Sequence, residues 1–152
     1  MVAAMWTLTG TCHCGAIRGT LNSTKPPEAL QVRACQCSFC TRHGAMTASD
    51  PQGSATFQIQ RAALARYQFG TRTGTSLICV RCGIYAGVIL EDGARTWSVI
   101  NVRGLAVAEL LGRMAEPVVY DGETPEARTA RRKAKWTPTE IVWQGVAPPY
   151  KL

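Results

Sequence analysis

The sequence has no long apolar run and no basic segment ahead of an apolar start. Gly, Arg or Glu interrupts its apolar stretches well short of the about 20 residues that cross a bilayer. The first fifteen residues, MVAAMWTLTGTCHCG, contain no Lys or Arg, and their apolar part ends at Thr7. They therefore do not resemble a secretory signal peptide. We expect no membrane association and a cytoplasmic location.

The sequence is also poor in acidic residues and has no internal repeat. Ten Asp and Glu stand against 17 Lys and Arg, which gives a formal net charge of +7. Apolar residues make up 46% and charged residues 18% of the chain, so it can bury a core and stay soluble. A length of 152 residues suits one core, and we expect a single zinc-binding domain over residues 1–152.

Cysteine, in contrast, is abundant and clustered. Seven cysteines are an odd number, which in a reducing compartment indicates metal binding or catalysis rather than a disulfide framework. Thiols separated by one or two residues rarely form disulfides, but they can surround one ion, because zinc binds sulfur at about 2.3 Å. The clusters are GTCHCG with Cys12 and Cys14, ACQCSFC with Cys35, Cys37 and Cys40, and ICVRCG with Cys79 and Cys82.

The coordination chemistry of zinc divides these cysteines into two sets. A structural zinc site has four protein ligands, whereas a catalytic site has three and one exchangeable position. We define the four-thiol group as Cys12, Cys14, Cys79 and Cys82, and the triplet as Cys35, Cys37 and Cys40. This division uses every cysteine; other partitions are possible, but they leave thiols over. An ion in the four-thiol group would close a long loop and stabilise the fold, so the triplet is the predicted working site.

The two histidines bear on this division. His43 follows Cys40 by three positions and could close the triplet as a Cys3His structural site. The CxCxxC turn already surrounds an ion, however, and Gly44 suggests that the chain turns away. His43 is instead our candidate catalytic residue, while His13, between two proposed ligands, is expected to point away from its ion. Carboxylates that are available without an assigned role are Asp50, Glu91 and Asp92.

Alternating apolar and polar residues predict a fold made mainly of strands. The segments with this alternation are 16–21, 55–60, 65–70, 87–92 and 95–102. EDG at 91–93 predicts a hairpin, and residues 60–63 predict a turn. Segment 104–113 is predicted as a short helix or as a loop that covers the core. The predicted fold class is mainly β, with antiparallel strands in a small zinc-stabilised domain and little helix.

The clearest helix signal covers residues 124–135, TPEARTARRKAK. Thr124 can cap its start, Pro125 suits its first position, and the basic residues favour its C-terminal end. Five basic residues in one helix could bind nucleic acid. A solvated face is the more common role, and a small anionic substrate would suit the same positive field. The segment lacks aromatic residues for stacking on single strands, so nucleic acid is not the expected partner.

Four segments resemble one known family. They are GTCHCGAIRGTL, CQCSFCTRHGAM, LICVRCGIYAGVIL and SVINVRGL, which follow the order CxCG, CxCxxC-xxx-GA and CxxCG over roughly residues 6–105. This order is similar to that of the glutathione-dependent formaldehyde-activating enzymes, a family that includes centromere protein V. One departure is Ile84-Tyr85, where many members have a small polar residue and proline. That departure affects the pocket wall and leaves the metal ligands unchanged.

The resemblance implies a zinc-dependent carbon–sulfur lyase-like enzyme. It implies two zinc ions per chain, a structural ion in the four-thiol group and a catalytic ion in the triplet. The reaction would add a thiol such as glutathione to formaldehyde or a related small aldehyde. Two alternatives remain: a non-catalytic glutathione or aldehyde carrier, and a nucleic-acid adaptor that uses the basic helix.

Overall fold

The computed structural model describes residues 5–145, and strands dominate this part of the chain. The strands are β1 (Trp6–Thr11), β2 (Ile17–Ser23), β3 (Val32–Cys35), β4 (Thr47–Ala48), β5 (Ser54–Gln60), β6 (Leu64–Tyr67), β7 (Thr75–Cys79), β8 (Tyr85–Asp92), β9 (Arg95–Asn101), β10 (Glu116–Val118) and β11 (Thr137–Gln144). The helices are α1 (Ser38–Arg42) and α2 (Pro125–Lys135). Single 3-10 turns occupy Pro27–Ala29 and Arg61–Ala63. No helix within residues 5–145 is both long and apolar enough to span a membrane.

The predicted mainly β fold with little helix is confirmed. Strands β2, β5, β6, β8 and β9 lie on the five segments with alternating residues, although β6 ends at Tyr67. The predicted hairpin joins β8 and β9, where Asp92 pairs with Arg95 across two loop residues. The sequence reading missed the other strands. Among these, β11 begins at the end of a helix and contains Pro138, and proline is uncommon inside a sheet.

Most neighbouring strands are antiparallel, as predicted, but two pairs are parallel. The main order is β1-β2-β5-β11-β9-β4-β3-β10, and β8, β7 and β6 extend in turn from β9. Strand β11 runs parallel to β5, and β10 runs parallel to β3. Parallel neighbours require long connections. The chain makes such a connection through α2 before it returns as β11.

Segment 104–113 covers the core as a loop, which confirms the second of the two alternatives predicted for it and not the short helix. Its backbone forms consecutive turns, and Ala106 has a φ of +51°, which interrupts a right-handed helix. Leu105, Val107 and Leu110 are fully buried. A Cβ on Gly10 would lie 2.0 Å from the Leu105 carbonyl oxygen, so only glycine in β1 allows the loop to pack this closely.

Helix α2 begins and ends where the sequence predicts. The Thr124 hydroxyl accepts a hydrogen bond from the Ala127 amide, and Pro125 takes the first position. The last helical residue is Lys135, and the extended backbone of the next residue, Trp136, leads directly into β11. Its arginines do not form a purely solvated face, because Arg128 and Arg131 are only about one-fifth exposed. Part of the basic surface of α2 is therefore largely buried against the rest of the fold.

Candidate metal centres and the cavity above the triplet

The four-thiol group is brought together by two turns at the ends of β1 and β7. All four Sγ atoms lie within 4.8 Å of one another. The Cys14 sulfur is 3.8 Å from that of Cys12 and 3.5 Å from that of Cys79. Gly15 and Gly83 follow the second cysteine of each turn with φ of +84° and +77°, which a residue with a side chain rarely adopts. The glycines after CxC and CxxC thus allow both turns to close.

The four-thiol group fits a tetrahedral zinc ion. Four sulfurs at about 2.3 Å from one ion are separated from each other by about 3.8 Å, close to the observed spacings. The backbone also points amides at the sulfurs, since the Ile17 amide donates to the Cys12 thiol at 3.2 Å. Such amides stabilise thiolates, the form that binds metal. Both the donor set and its spacing therefore suit zinc.

Burial and hydrogen bonds act differently on the individual thiols of this group. Burial raises the pKa of Cys12 and raises that of Cys79 to about 12. Burial also tends to raise the pKa of Cys82. Hydrogen bonds from the backbone amides of Cys14 and Ile84 outweigh this effect and lower the pKa of the Cys82 thiol to about 6. The lowered pKa of the Cys82 thiol therefore makes it ionise more readily than the thiols of Cys12 and Cys79.

The triplet lies where β3 passes into α1. Cys35 ends β3, Cys37 caps the start of α1, and Cys40 lies within that helix. Their Sγ atoms lie within 4.8 Å of one another, and the Cys37 sulfur accepts a hydrogen bond from the Cys40 amide at 3.3 Å. A hydrogen bond from the Cys40 thiol lowers the pKa of Cys35 to about 5. The same hydrogen bond, together with burial, raises the pKa of Cys40.

His43 lies near the triplet but not among its metal-binding atoms. Within residues 5–145, the compact group of possible ligands contains the three thiols and no histidine or carboxylate. His43 follows the last turn of α1 and is exposed to solvent. Its ring centre is 4.6 Å from that of Phe39 and 5.4 Å from that of Tyr85. The second histidine, His13, lies in the turn between Cys12 and Cys14 and is exposed to solvent.

The three available carboxylates serve other parts of the structure. Asp50 is buried and accepts hydrogen bonds at 2.7 Å from both the amide and the hydroxyl of Thr24. Burial opposes its ionisation, but these hydrogen bonds lower the pKa of Asp50. Glu91 pairs with Arg66 at 3.2 Å, and Asp92 pairs with Lys133. None of the three lines the cavity described next.

A cavity of about 270 Å³ opens above the triplet. All three triplet thiols line it, and no member of the four-thiol group does. Its apolar walls include Phe39, Phe69, Tyr85, Val88, Val99 and Trp136. Its basic walls consist of Arg33, Arg128, Arg131 and Arg132, the last three from α2. The two cysteine sets thus occupy different surroundings, one enclosed by turns and one facing a pocket.

Two of the cavity arginines are held by a single carboxylate. Arg131 forms two hydrogen bonds to Glu123, at 2.8 Å and 3.1 Å, and Arg128 adds a third at 3.3 Å. Arg131 also lies over the Tyr120 ring, 3.5 Å from its centre. These contacts fix the orientation of α2 side chains at the cavity wall.

The other two cavity arginines form no ion pair with any residue from 5 to 145. Arg33 is 7% exposed, and its guanidinium donates to the Ser49 hydroxyl. Arg132 donates to the Thr73 hydroxyl at 2.9 Å and lies over the Trp136 ring, yet its buried Nε has no acceptor. Burial, with the charges of Arg131 and Arg128, lowers the pKa of Arg132 to about 10, which leaves it cationic at neutral pH.

Sequence reasoning missed Arg33, Tyr85 and Arg132 as cavity residues. Arg33 precedes Cys35 by two positions on β3, and residues two apart share one face of a strand, so this signal was available. Tyr85 stood out only as a departure from a family pattern. The position of Arg132 beside the triplet depends on where α2 packs, which no local pattern records.

Most of the chain matches one known family. Residues 7–116, which are 110 of the 152 residues, match the family described as glutathione-dependent formaldehyde-activating enzyme. The chain belongs to this family. Membership associates it with glutathione-dependent formaldehyde activation in general. Helix α2 and strand β11 follow the matched segment, so three cavity arginines come from outside it.

A solved structure is also similar to this chain. It is the crystal structure of a Rhodobacter sphaeroides protein that is 28% identical and covers 90% of this chain and 99% of its own, with a TM-score of 0.48.

Proposed function

We propose that this protein adds a thiol such as glutathione to formaldehyde or a related small aldehyde at the triplet. The observation that supports this proposal is that all three triplet cysteines line the cavity of about 270 Å³, whereas no cysteine of the four-thiol group lines it. Three thiols suit a zinc ion with one exchangeable position, and four suit a structural ion. The proposal therefore assigns two zinc ions per chain, a catalytic one to the triplet and a structural one to the four-thiol group.

The proposed reaction forms one carbon–sulfur bond and involves no redox change. The thiol sulfur adds to the carbonyl carbon, the C=O π bond breaks with its electron pair going to oxygen, and the thiol proton ends on that oxygen. A zinc ion in the triplet would supply a position at which an incoming thiol loses its proton readily. The protein must then hold the aldehyde close to the sulfur and deliver a proton to the oxygen.

We assign the stabilisation of the developing oxyanion to Tyr85 and the delivery of the proton to His43. Tyr85 lines the cavity, and burial raises its pKa well above the usual range, so its hydroxyl remains a donor at neutral pH. A hydroxyl that stays protonated can stabilise the developing oxyanion by a hydrogen bond. His43, against the rings of Phe39 and Tyr85 and exposed to solvent, is the proposed acid–base that exchanges the proton with water.

The apolar walls support an addition reaction of a small aldehyde. The Phe39 ring packs against Phe69 and Tyr85 at centre distances of 5.1 Å and 5.0 Å. Such a wall limits water around the sulfur and strengthens the hydrogen bond at the oxygen. The nucleic-acid adaptor has less support, because three of the five basic residues of α2 line this cavity.

An exchange experiment separates the enzyme from the carrier. NMR exchange spectroscopy on glutathione, formaldehyde and their adduct measures interconversion with the zinc-loaded protein at far below substrate concentration. We expect exchange faster than the uncatalysed rate, and exchange at the uncatalysed rate in Cys37→Ser. Stoichiometric binding of glutathione without faster exchange would establish a carrier and refute the enzyme.

A further inference from the structure

The cavity above the triplet has a strongly positive wall. Four arginines line it, and the carboxylates next to them are Asp121 in the lining and Glu123 behind it. Glu123 already receives hydrogen bonds from Arg128 and Arg131. Among the described residues, neither Arg33 nor Arg132 forms an ion pair with a carboxylate, and Glu116 and Glu123 act on their charges only from a longer distance.

An unpaired guanidinium inside a protein is costly unless something else compensates its charge. Arg33 is more than nine-tenths buried, and the Arg132 Nε–H is buried without an acceptor. Burying a charge or a polar donor without a partner destabilises the fold, and a charge costs more than a neutral donor. Both residues line the same cavity, so an anionic ligand there would place its negative charge next to these guanidinium groups.

We propose that Arg132 and Arg33 bind a carboxylate of the thiol substrate. This rests on the proposed function only in taking the cavity as the site of the thiol. Guanidinium groups match the planar geometry of a carboxylate, which can accept two parallel N–H bonds. The substrate class is then a small thiol that carries a carboxylate, and an uncharged thiol of similar size is a poor substrate.

The placement of the arginines relates the carboxylate to the reacting sulfur. Arg33 and Cys35 are two positions apart along β3, and their side chains therefore lie on the same face of the strand. Arg132, on α2, is held at the cavity wall by Thr73 and by the Trp136 ring. A ligand with its thiol at the triplet would then have its carboxylate on the α2 side of the same cavity. At about 270 Å³, this space is at the small end of ligand pockets, which suits a small peptide or amino-acid thiol.

The test uses S-methylglutathione, which keeps both carboxylates but has no thiol to coordinate a metal. Titration calorimetry on the zinc-loaded protein compares it with its dimethyl ester, which has lost both negative charges. We expect the ester to bind at least about tenfold more weakly, because charge-assisted hydrogen bonds are lost. Equal affinity of acid and ester, or no binding of S-methylglutathione at millimolar concentration, would overturn the proposal.

Three variants of α2 locate the effect. Arg132→Gln should weaken S-methylglutathione binding about tenfold or more, and Arg132→Lys should restore part of it. Lys135→Gln removes the same charge from an exposed position of α2 and should change the affinity little. Circular dichroism checks that the variants fold, and the ester comparison on the unmodified protein does not depend on them. Equal losses in Arg132→Gln and Lys135→Gln would mean that general charge, and not this site, attracts the ligand.

Inorganic phosphate distinguishes a carboxylate site from a phosphate site. We expect phosphate to displace S-methylglutathione more weakly than succinate does, and the reverse order would reject the carboxylate assignment. The proposed function fails by a different measurement, the exchange rate between glutathione, formaldehyde and adduct. Carboxylate-dependent binding without faster exchange would refute the enzyme and keep the arginine site.

Discussion

Replacing Cys82 by serine tests whether the four-thiol group holds the fold together. Cys14 and Cys79 are 65 positions apart in the chain, and their sulfurs are 3.5 Å apart. An ion bound there closes a loop that includes β2 to β7. In the chain-entropy treatment of cross-links, opening a loop of this length costs about 4 kcal/mol. Because domains have a free energy of unfolding of about 5–15 kcal/mol, this loss would remove a large share of the stability.

The matched control is Cys37→Ser in the triplet. Cys37 and Cys82 are both half-buried, so the same atom change occurs in similar exposure. Serine at position 37 can still accept the hydrogen bond that the Cys40 amide now donates to the thiol, and serine is a good helix cap. We expect Cys37→Ser to change the free energy of unfolding by about 1 kcal/mol or less and to abolish thiol-dependent activity.

Thermal unfolding followed by circular dichroism, with zinc and a reductant present, measures both variants. A loss of 4 kcal/mol corresponds to a fall in Tm of about 8–16 °C for a chain of this size. We expect Cys82→Ser to approach that fall and Cys37→Ser to remain within a few degrees of the unmodified protein. Equal falls would refute the division into a structural and a working site. A larger fall for Cys37→Ser would mean that the two sites have been exchanged in this assignment.

Three further predictions concern the working site. A mild chelator should remove the triplet ion first and leave the circular dichroism spectrum unchanged, as checked by zinc analysis of the protein; simultaneous loss of both ions with unfolding would contradict the two roles. His43→Ala in cobalt-substituted protein should keep the spectral response to glutathione while turnover falls, because His43 lies outside the group of three thiols. A stronger response in that variant would identify His43 as the fourth ligand. Tyr85→Phe keeps the ring and removes the hydroxyl, so kcat should fall about 100-fold with little change in Tm; unchanged kcat would exclude Tyr85 as the oxyanion donor.

The thiol sets and several elements could be predicted because their signals are local. A CxC or CxxC turn brings sulfurs together within a few residues, and the glycine after it reports the backbone conformation that the turn needs. Helix α2 has its cap, its first proline and its basic end within its own segment. Strands β8 and β9 alternate clearly and are joined by a two-residue loop. Each of these features depends on neighbours in sequence.

The missed elements depend on distant contacts. Segment 104–113 contains a pattern that a helix could use, but Leu105, Val107 and Leu110 are buried against strands, and Ala106 adopts a left-handed conformation in the loop. Strand β11 forms because β5 offers it a parallel partner, despite a proline near its start. Local propensity gives way in both segments, since burial and sheet pairing contribute more free energy.

By itself, the sequence determined the two sets of thiols, the family and the ends of the basic helix. Only the tertiary structure decided that the triplet, and not the four-thiol group, faces the cavity with the arginines, because this depends on how strands distant in sequence pair. It also turned three arginines of α2 towards the triplet, although the sequence pattern of that helix equally suits a solvated surface. The physical reason is that a helix fixes only the relative directions of its side chains, while contacts with distant residues, such as that of Arg132 with Thr73 and that of Lys133 with Asp92, select the face that is buried.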